Sequence, residues 1–262
     1  MNISRRWFLG LVGLAGLTVV VNELILPAQE PSLKIPSLED VVTNDQSSNP
    51  NTHLPTKEYA LEDYIQAIIA VESNRNPNAK RYEPHIDDTS YGLMQILTRT
   101  AKDLEQKHPS LPRLGKGKEL VKNLKDPEVN TQYGTQLFLD NLQLYNQDPL
   151  LAIAAYNAGP KTPMYARVQQ QLNDLMKIQL TCDGILGKKS QETIKEFQAK
   201  WNSNNPKDHL DVDGRLGDQT YQRIQQSWQH HYPGQPNPKG IIPQNNITPY
   251  HIKKILKELQ RQ

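Results

Sequence analysis

The 262 residues carry 30 Lys+Arg against 28 Asp+Glu, a formal net charge of +2, and such a balance excludes the chain-wide basic face that nucleic-acid binding needs. A hydrophobic fraction of 36% and a mean hydropathy of −0.70, with 19 prolines and 14 glycines, exclude a multi-span membrane protein and leave a polar chain long enough for two modest domains. The single cysteine, Cys182, excludes an internal disulfide, and the seven histidines (53, 85, 108, 209, 230, 231, 251) show no metal-ligand spacing, so neither metal nor cofactor is expected.

At the N-terminus Arg5-Arg6 stands directly before Trp7–Val21, fifteen residues without a charge. A basic pair before a short apolar run is the pattern of an export signal, and Arg-Arg with Phe8-Leu9 behind it resembles a twin-arginine signal. No small residue stands two places before Ala28, so cleavage and retention as a membrane anchor both stay open for 1–26. The expected location is the periplasm or cell wall. From Pro27 to Thr56 five of thirty residues are proline and no period survives, which predicts a linker over 27–56.

Helical patterning starts near Glu58, and no strand-like alternation of useful length follows, so the fold class is mainly α. Leu61, Ile65, Ile68 and Glu72 are spaced four, three and four, and Glu72 therefore continues an apolar stripe. Burial, and the negative end of a helix that Asn76-Pro77 must stop, both disfavour a charged carboxylate there. A carboxylic acid kept protonated near neutral pH is what a general acid requires.

Further on stand Tyr91-Gly92-Leu93-Met94-Gln95-Ile96 and Ala155-Tyr156-Asn157-Ala158-Gly159-Pro160. With Glu72-Ser73 these segments resemble, in order and spacing, the signature of lytic transglycosylases of the lysozyme-like superfamily, over 57–162. The resemblance implies a lysozyme-like catalytic domain that acts on the glycan strands of peptidoglycan. It implies Glu72 as catalytic acid, with Ser73, Met94, Gln95, Tyr156 and Asn157 as substrate-binding residues. Gly92 is expected to let the backbone approach a ligand closely. The implied reaction uses one carboxylate: Glu72 protonates the glycosidic oxygen, then takes the proton of the muramic C6 hydroxyl as that oxygen attacks C1, giving a 1,6-anhydro product. The link Arg81–Ser90 is longer and more acidic than in that family. Asp87 or Asp88 would there position water for hydrolysis, which keeps a lysozyme-type muramidase open as the alternative beside a non-catalytic wall-binding protein.

Asp183-Gly184-Ile185-Leu186-Gly187 recurs as Asp213-Gly214-Arg215-Leu216-Gly217. Ser190 and Thr220 are expected to cap the helices that follow, and the segment 163–231 resembles a small three-helix peptidoglycan-binding domain. Its contacts with the wall are expected from exposed groups such as Arg215, Gln219 and Tyr221. A deletion after Thr162 is expected to spare turnover of soluble glycan. The stretch 232–262 is a Pro-rich segment and a basic C-terminal helix that begins at Thr248-Pro249, expected to lie solvated against the second domain.

Overall fold

The structure, a computed structural model, describes residues 33–35 and 57–262, and the export signal read at 1–26 and most of the linker read at 27–56 lie outside the described residues. Among the described residues nine helices dominate, as the patterning predicts. Five short strands accompany them, too short for alternation to show in the sequence. β1 (Leu33–Ile35) pairs antiparallel with β2 (Lys57–Tyr59), Leu33 opposite Tyr59. β3 (Lys80–Glu83), β4 (Asp88–Tyr91) and β5 (Ile96–Leu97) form an antiparallel sheet in that order, with Lys80 opposite Tyr91 and Tyr91 opposite Ile96.

Helix α1 (Leu61–Ser73) opens with Glu62 and Asp63 in its first turn, where acids oppose the positive end of the dipole, and the Asp63 carboxylate accepts the Ala60 N–H at 2.8 Å. It ends on two left-handed residues, Asn74 (φ 51°) and Arg75 (φ 62°), whose N–H groups close back on the Ala70 and Ile69 carbonyls. Ile65 and Ile68 are buried on the predicted face.

Helices α2 (Thr98–Lys107) and α3 (Lys118–Lys125) lead to α4 (Pro127–Leu144) and α5 (Pro149–Ala158). Asp126 and Asp148 each cap two backbone N–H groups, and proline follows each at the first helical position. From Pro149 to Ala155 every residue of α5 is buried, as an all-round apolar helix must be. It packs on α4 and α6 (Thr162–Met176).

Asn130, fully buried on α4, holds the centre together: its amide nitrogen donates to the Tyr91 and Leu124 carbonyls, each at 2.8 Å, and its oxygen accepts the Met94 N–H at 2.7 Å. Gly92 (φ 79°) makes this possible, since a Cβ there would lie 2.3 Å from the Asn130 amide and 2.4 Å from the Leu124 oxygen. The close approach expected at Gly92 is thus to the protein's own core.

Helices α6, α7 (Lys188–Asn204) and α8 (Asp218–His231) enclose a second core of Val168, Leu172, Ile194, Phe197, Leu210 and Ile224. The Asp-Gly echo proves deeper than the turns. Gln169 donates to Asp183, the Ile185 carbonyl and Ser190, and accepts the Gly184 N–H; Gln198 repeats all four bonds with Asp213, Arg215, Thr220 and Gly214. Four residues on, Asn173 and Asn202 clamp Leu180 and Leu210. Ser190 and Thr220 are therefore not caps: the helices start at Gly187 and Gly217 without a side-chain cap, and the buried hydroxyls serve the glutamines.

The C-terminal helix α9 (Thr248–Leu259) lies elsewhere than expected. The Pro-rich segment crosses the second core, with the Ile241 N–H on the Pro163 carbonyl and the Gln244 N–H on the Cys182 carbonyl, then delivers α9 onto α1 and α5. Ile252, Ile255, Leu256 and Leu259, spaced three, one and three, all enter the first core, and Lys253, Lys254 and Lys257 remain exposed. Burial of four aliphatic side chains, each contributing about 1.5–3 kcal/mol, outweighs solvation of a helix whose charges all lie on the opposite face. A deletion after Thr162 would remove α9 from the first core, so it cannot isolate the half of the chain that carries that core.

Asn130→Ala leaves one buried N–H and two buried carbonyls without their partner, and equilibrium urea unfolding is expected to show a loss of about 3 kcal/mol.

Candidate active site

The last turn of α1 places Glu72 where three elements meet. Its side chain is 7% exposed. Burial pushes its carboxyl up to about 7, with Glu83 adding to the effect and the cations Arg81 and Lys254 opposing it. Glu83 is itself ion-paired with Arg81 on β3, so this second acid beside Glu72 carries its own counter-charge.

The second and third motifs are joined by one bond: the Tyr156 hydroxyl, from the end of α5, donates to the Met94 carbonyl at 2.7 Å. Burial, then the nearby Glu72, hold that phenol well above its ordinary range, so it acts only as a neutral hydroxyl. The structure brings Glu72 and Tyr156 together and tethers the Met94-Gln95 turn to them. Gln95 sits in the left-handed region (φ 49°), uncommon for a residue with a side chain. Its amide donates to the Gly92 carbonyl and accepts from the Ser90 hydroxyl, each at 2.9 Å, which fixes its orientation and leaves one N–H and one lone pair for a ligand. Ser73 returns its hydroxyl to the Ile69 carbonyl at 3.1 Å, and Asn157 is half-buried on the last turn of α5.

Two expectations need correction. The Met94 side chain is wholly buried, packed where a Cβ on Gly134 would touch its sulfur, so it offers substrate no side-chain surface; its contribution is the carbonyl held by Tyr156. Asp88 is not poised to hold water. Burial alone would raise its carboxyl, but the Thr98 hydroxyl and the Arg99 and Thr89 N–H groups outweigh that and keep it below the usual range. Leu97 has no capping side chain, and Asp88 reaches across from β4 to cap α2 in its place. Asp87, also left-handed (φ 49°), is exposed and accepts the Tyr82 hydroxyl at 2.7 Å on the turn between β3 and β4.

Sequence reasoning missed His251. From α9 its Nε2 lies 3.3 Å from Glu72 Oε1, with the imidazole 11% exposed. Burial, reinforced by Lys254 and Arg81, lowers its pKa to about 4. Desolvation thus keeps acid and imidazole both neutral between about pH 4 and 7, where an exposed pair would ionise. The signal available was the apolar stripe Ile252-Ile255-Leu256-Leu259, which buries its face of the helix; the lysines drew attention to the other face.

Among the described residues no cluster of His, Cys, Asp or Glu has the make-up of a metal site, and no helix is long and apolar enough to cross a membrane. In comparison with known families, residues 52–176 match the model of the transglycosylase SLT domain, a span that takes in β2, all of the site except α9, and α6. The first half of the chain is therefore similar to lytic transglycosylases of the lysozyme-like superfamily, and the mainly α fold is consistent with a lysozyme-like one. The match supports cleavage of peptidoglycan in general.

The raised acid has a sign that can be checked. Glu72 titrates near 4.5 in an unfolded chain and near 7 when folded, so the folded protein binds one more proton between those values and loses stability as pH rises through them. Glu72→Gln abolishes that loss. Chemical unfolding is expected to show the variant equal to wild type near pH 4.5 and more stable by about 3 kcal/mol above pH 7.

Proposed function

We propose that the protein is a lytic transglycosylase that cleaves the MurNAc-GlcNAc β-1,4 bond with formation of a 1,6-anhydromuramic end. The observation that carries this reading is the buried carboxyl of Glu72, half protonated near pH 7, with its acidic neighbours Asp88 and Glu83 engaged elsewhere. A hydrolytic glycosidase normally needs a second carboxylate about 5–9.5 Å away to serve as base or nucleophile. Here Asp88 caps a helix and Glu83 is paired with Arg81.

In the proposed reaction Glu72 gives its proton to the glycosidic oxygen as the C1–O bond breaks, and an oxocarbenium-like centre forms at C1. Glu72, now a carboxylate in a site that disfavours charge, recovers a proton from the C6 hydroxyl while that oxygen bonds to C1. The proton count returns to its start and no water enters. The Gln95 amide is oriented for the sugar, and Tyr156 presents its hydroxyl oxygen beside the reacting acid.

We further propose that the chain is exported to the periplasm or wall by its N-terminal segment, cleaved or retained as an anchor, and that the three-helix unit is a wall-binding module. An open groove between α6, α7 and the end of α8, lined by Leu175, Phe197, Lys200, Trp201, His230 and His231, is a candidate contact surface for that module beside Arg215, Gln219 and Tyr221. Arg215 and Gln219 are exposed on the turn and on α8, and Tyr221 packs against the second core. A tethered binder raises the local concentration of enzyme at the polymer without changing the chemistry.

Mass spectrometry of digested sacculi tests the reaction. Muramic ends one water lighter than reducing ends are expected, and Glu72→Gln is expected to lose about 10²- to 10⁴-fold in rate while still binding glycan; reducing ends would instead make the enzyme a muramidase. For the module, the double substitution Lys200→Ala with His230→Ala is expected to lower co-sedimentation with sacculi severalfold and leave turnover of soluble glycan oligomers near wild type.

A further inference from the structure

His251 stands outside the three motifs and reaches the site on a helix that follows the second core in the chain. Its Nε2 is buried, no aligned hydrogen bond satisfies it, and its nearest charged-group atom is Glu72 Oε1 at 3.3 Å. A buried ring nitrogen left unbonded is costly and uncommon in folded proteins. The groups that face this pair are Arg81 and Glu83 from β3, Lys254 from α9 itself and Tyr156 from α5. The Tyr156 hydroxyl is committed to Met94 and Glu83 is paired with Arg81, so among these groups the uncommitted imidazole is the donor within reach of the carboxyl.

We infer that His251 is a positioning residue for Glu72: its Nε2–H engages Oε1, which leaves Oε2 to carry the proton delivered to substrate, and it holds the carboxylate that remains after delivery. The inference rests on the reading of Glu72 as the general acid. The 3.3 Å approach is close to hydrogen-bond distance, and in the inferred arrangement the two groups align across it. That bond is weak while Glu72 is neutral and charge-assisted once Glu72 has given up its proton, so it strengthens as the reaction proceeds. The imidazole stays neutral throughout and exchanges no proton. Because α9 is anchored by Ile252, Ile255 and Leu259 in the same core as α1, the donor and the acid are set at a fixed separation.

Two measurements on the full chain test this. In ¹⁵N NMR of labelled histidine, His251 is expected as the neutral tautomer protonated at Nε2; the Nδ1–H tautomer would overturn the assignment. In ¹³C NMR of labelled glutamate, with the Glu72 resonance identified by its loss in Glu72→Gln, His251→Phe is expected to raise the Glu72 titration midpoint by at least about one pH unit. The alkaline limb of activity on soluble glycan oligomers should move up with it. At neutral pH kcat is expected to fall about 10- to 100-fold with KM changed less than about twofold, and His251→Gln, which keeps an N–H donor, should restore most of the difference. An unchanged midpoint in His251→Phe, or activity lost only in step with thermal stability, refutes the role. The NMR titrations need no turnover, so failure of the transglycosylase reading is seen separately in the product analysis.

Discussion

The burial of one carboxyl organises this site. Glu72 sits at the end of α1, against the negative end of its own helix and beneath a helix from the far C-terminus, and desolvation brings its pKa to about 7. In the proposed reaction that cost is what makes the group useful, because an acid that is half protonated at neutral pH can give and recover a proton with little penalty in either direction. The same desolvation discharges His251, so the two meet as neutral groups. Arg81 and Lys254 lie near enough to temper the effect and not near enough to reverse it.

A buried acid is costly only if the surrounding elements cannot relax away from it, and the core supplies that rigidity. Asn130 joins α4 to the Gly92-Met94 turn and to the end of α3 through three hydrogen bonds. Tyr156 joins the end of α5 to the same turn. The turn that carries Gln95 is thereby tied to two helices, which is why a left-handed glutamine persists there. Asp88 performs the corresponding service for α2, and its carboxylate is an element of architecture.

The order of elements along the chain does not follow the division into two cores. The chain builds most of the first core, then the second with its repeated glutamine clamps, and returns with α9 to close the first. The Pro-rich segment before α9 is the bridge, pinned to the second core at Pro163 and Cys182. The second core and the acid at Glu72 are thereby joined along this bridge, which ends four residues before His251 at Ile247.

What was legible in the sequence were properties set by local spacing. Glu72 on the Ile65-Ile68 stripe follows from helical spacing, where side-chain direction is set by the period alone, and the doubled Asp-Gly turns and the three motifs are each short runs of adjacent residues. Contacts between residues distant in the chain were not legible. Asp88 reads as a loop acid until α2 presents its uncapped N–H groups to it; Met94 reads as cleft-lining until Gly134 opens a hole for it. The lysines of α9 suggest a solvated helix, and only packing shows its opposite face to be core. Local periodicity determined that Glu72 would be buried at a helix end. Only the tertiary structure decided what lies beside it, because the energy that brings His251 there comes from four aliphatic side chains entering a core built nearly two hundred residues earlier in the chain.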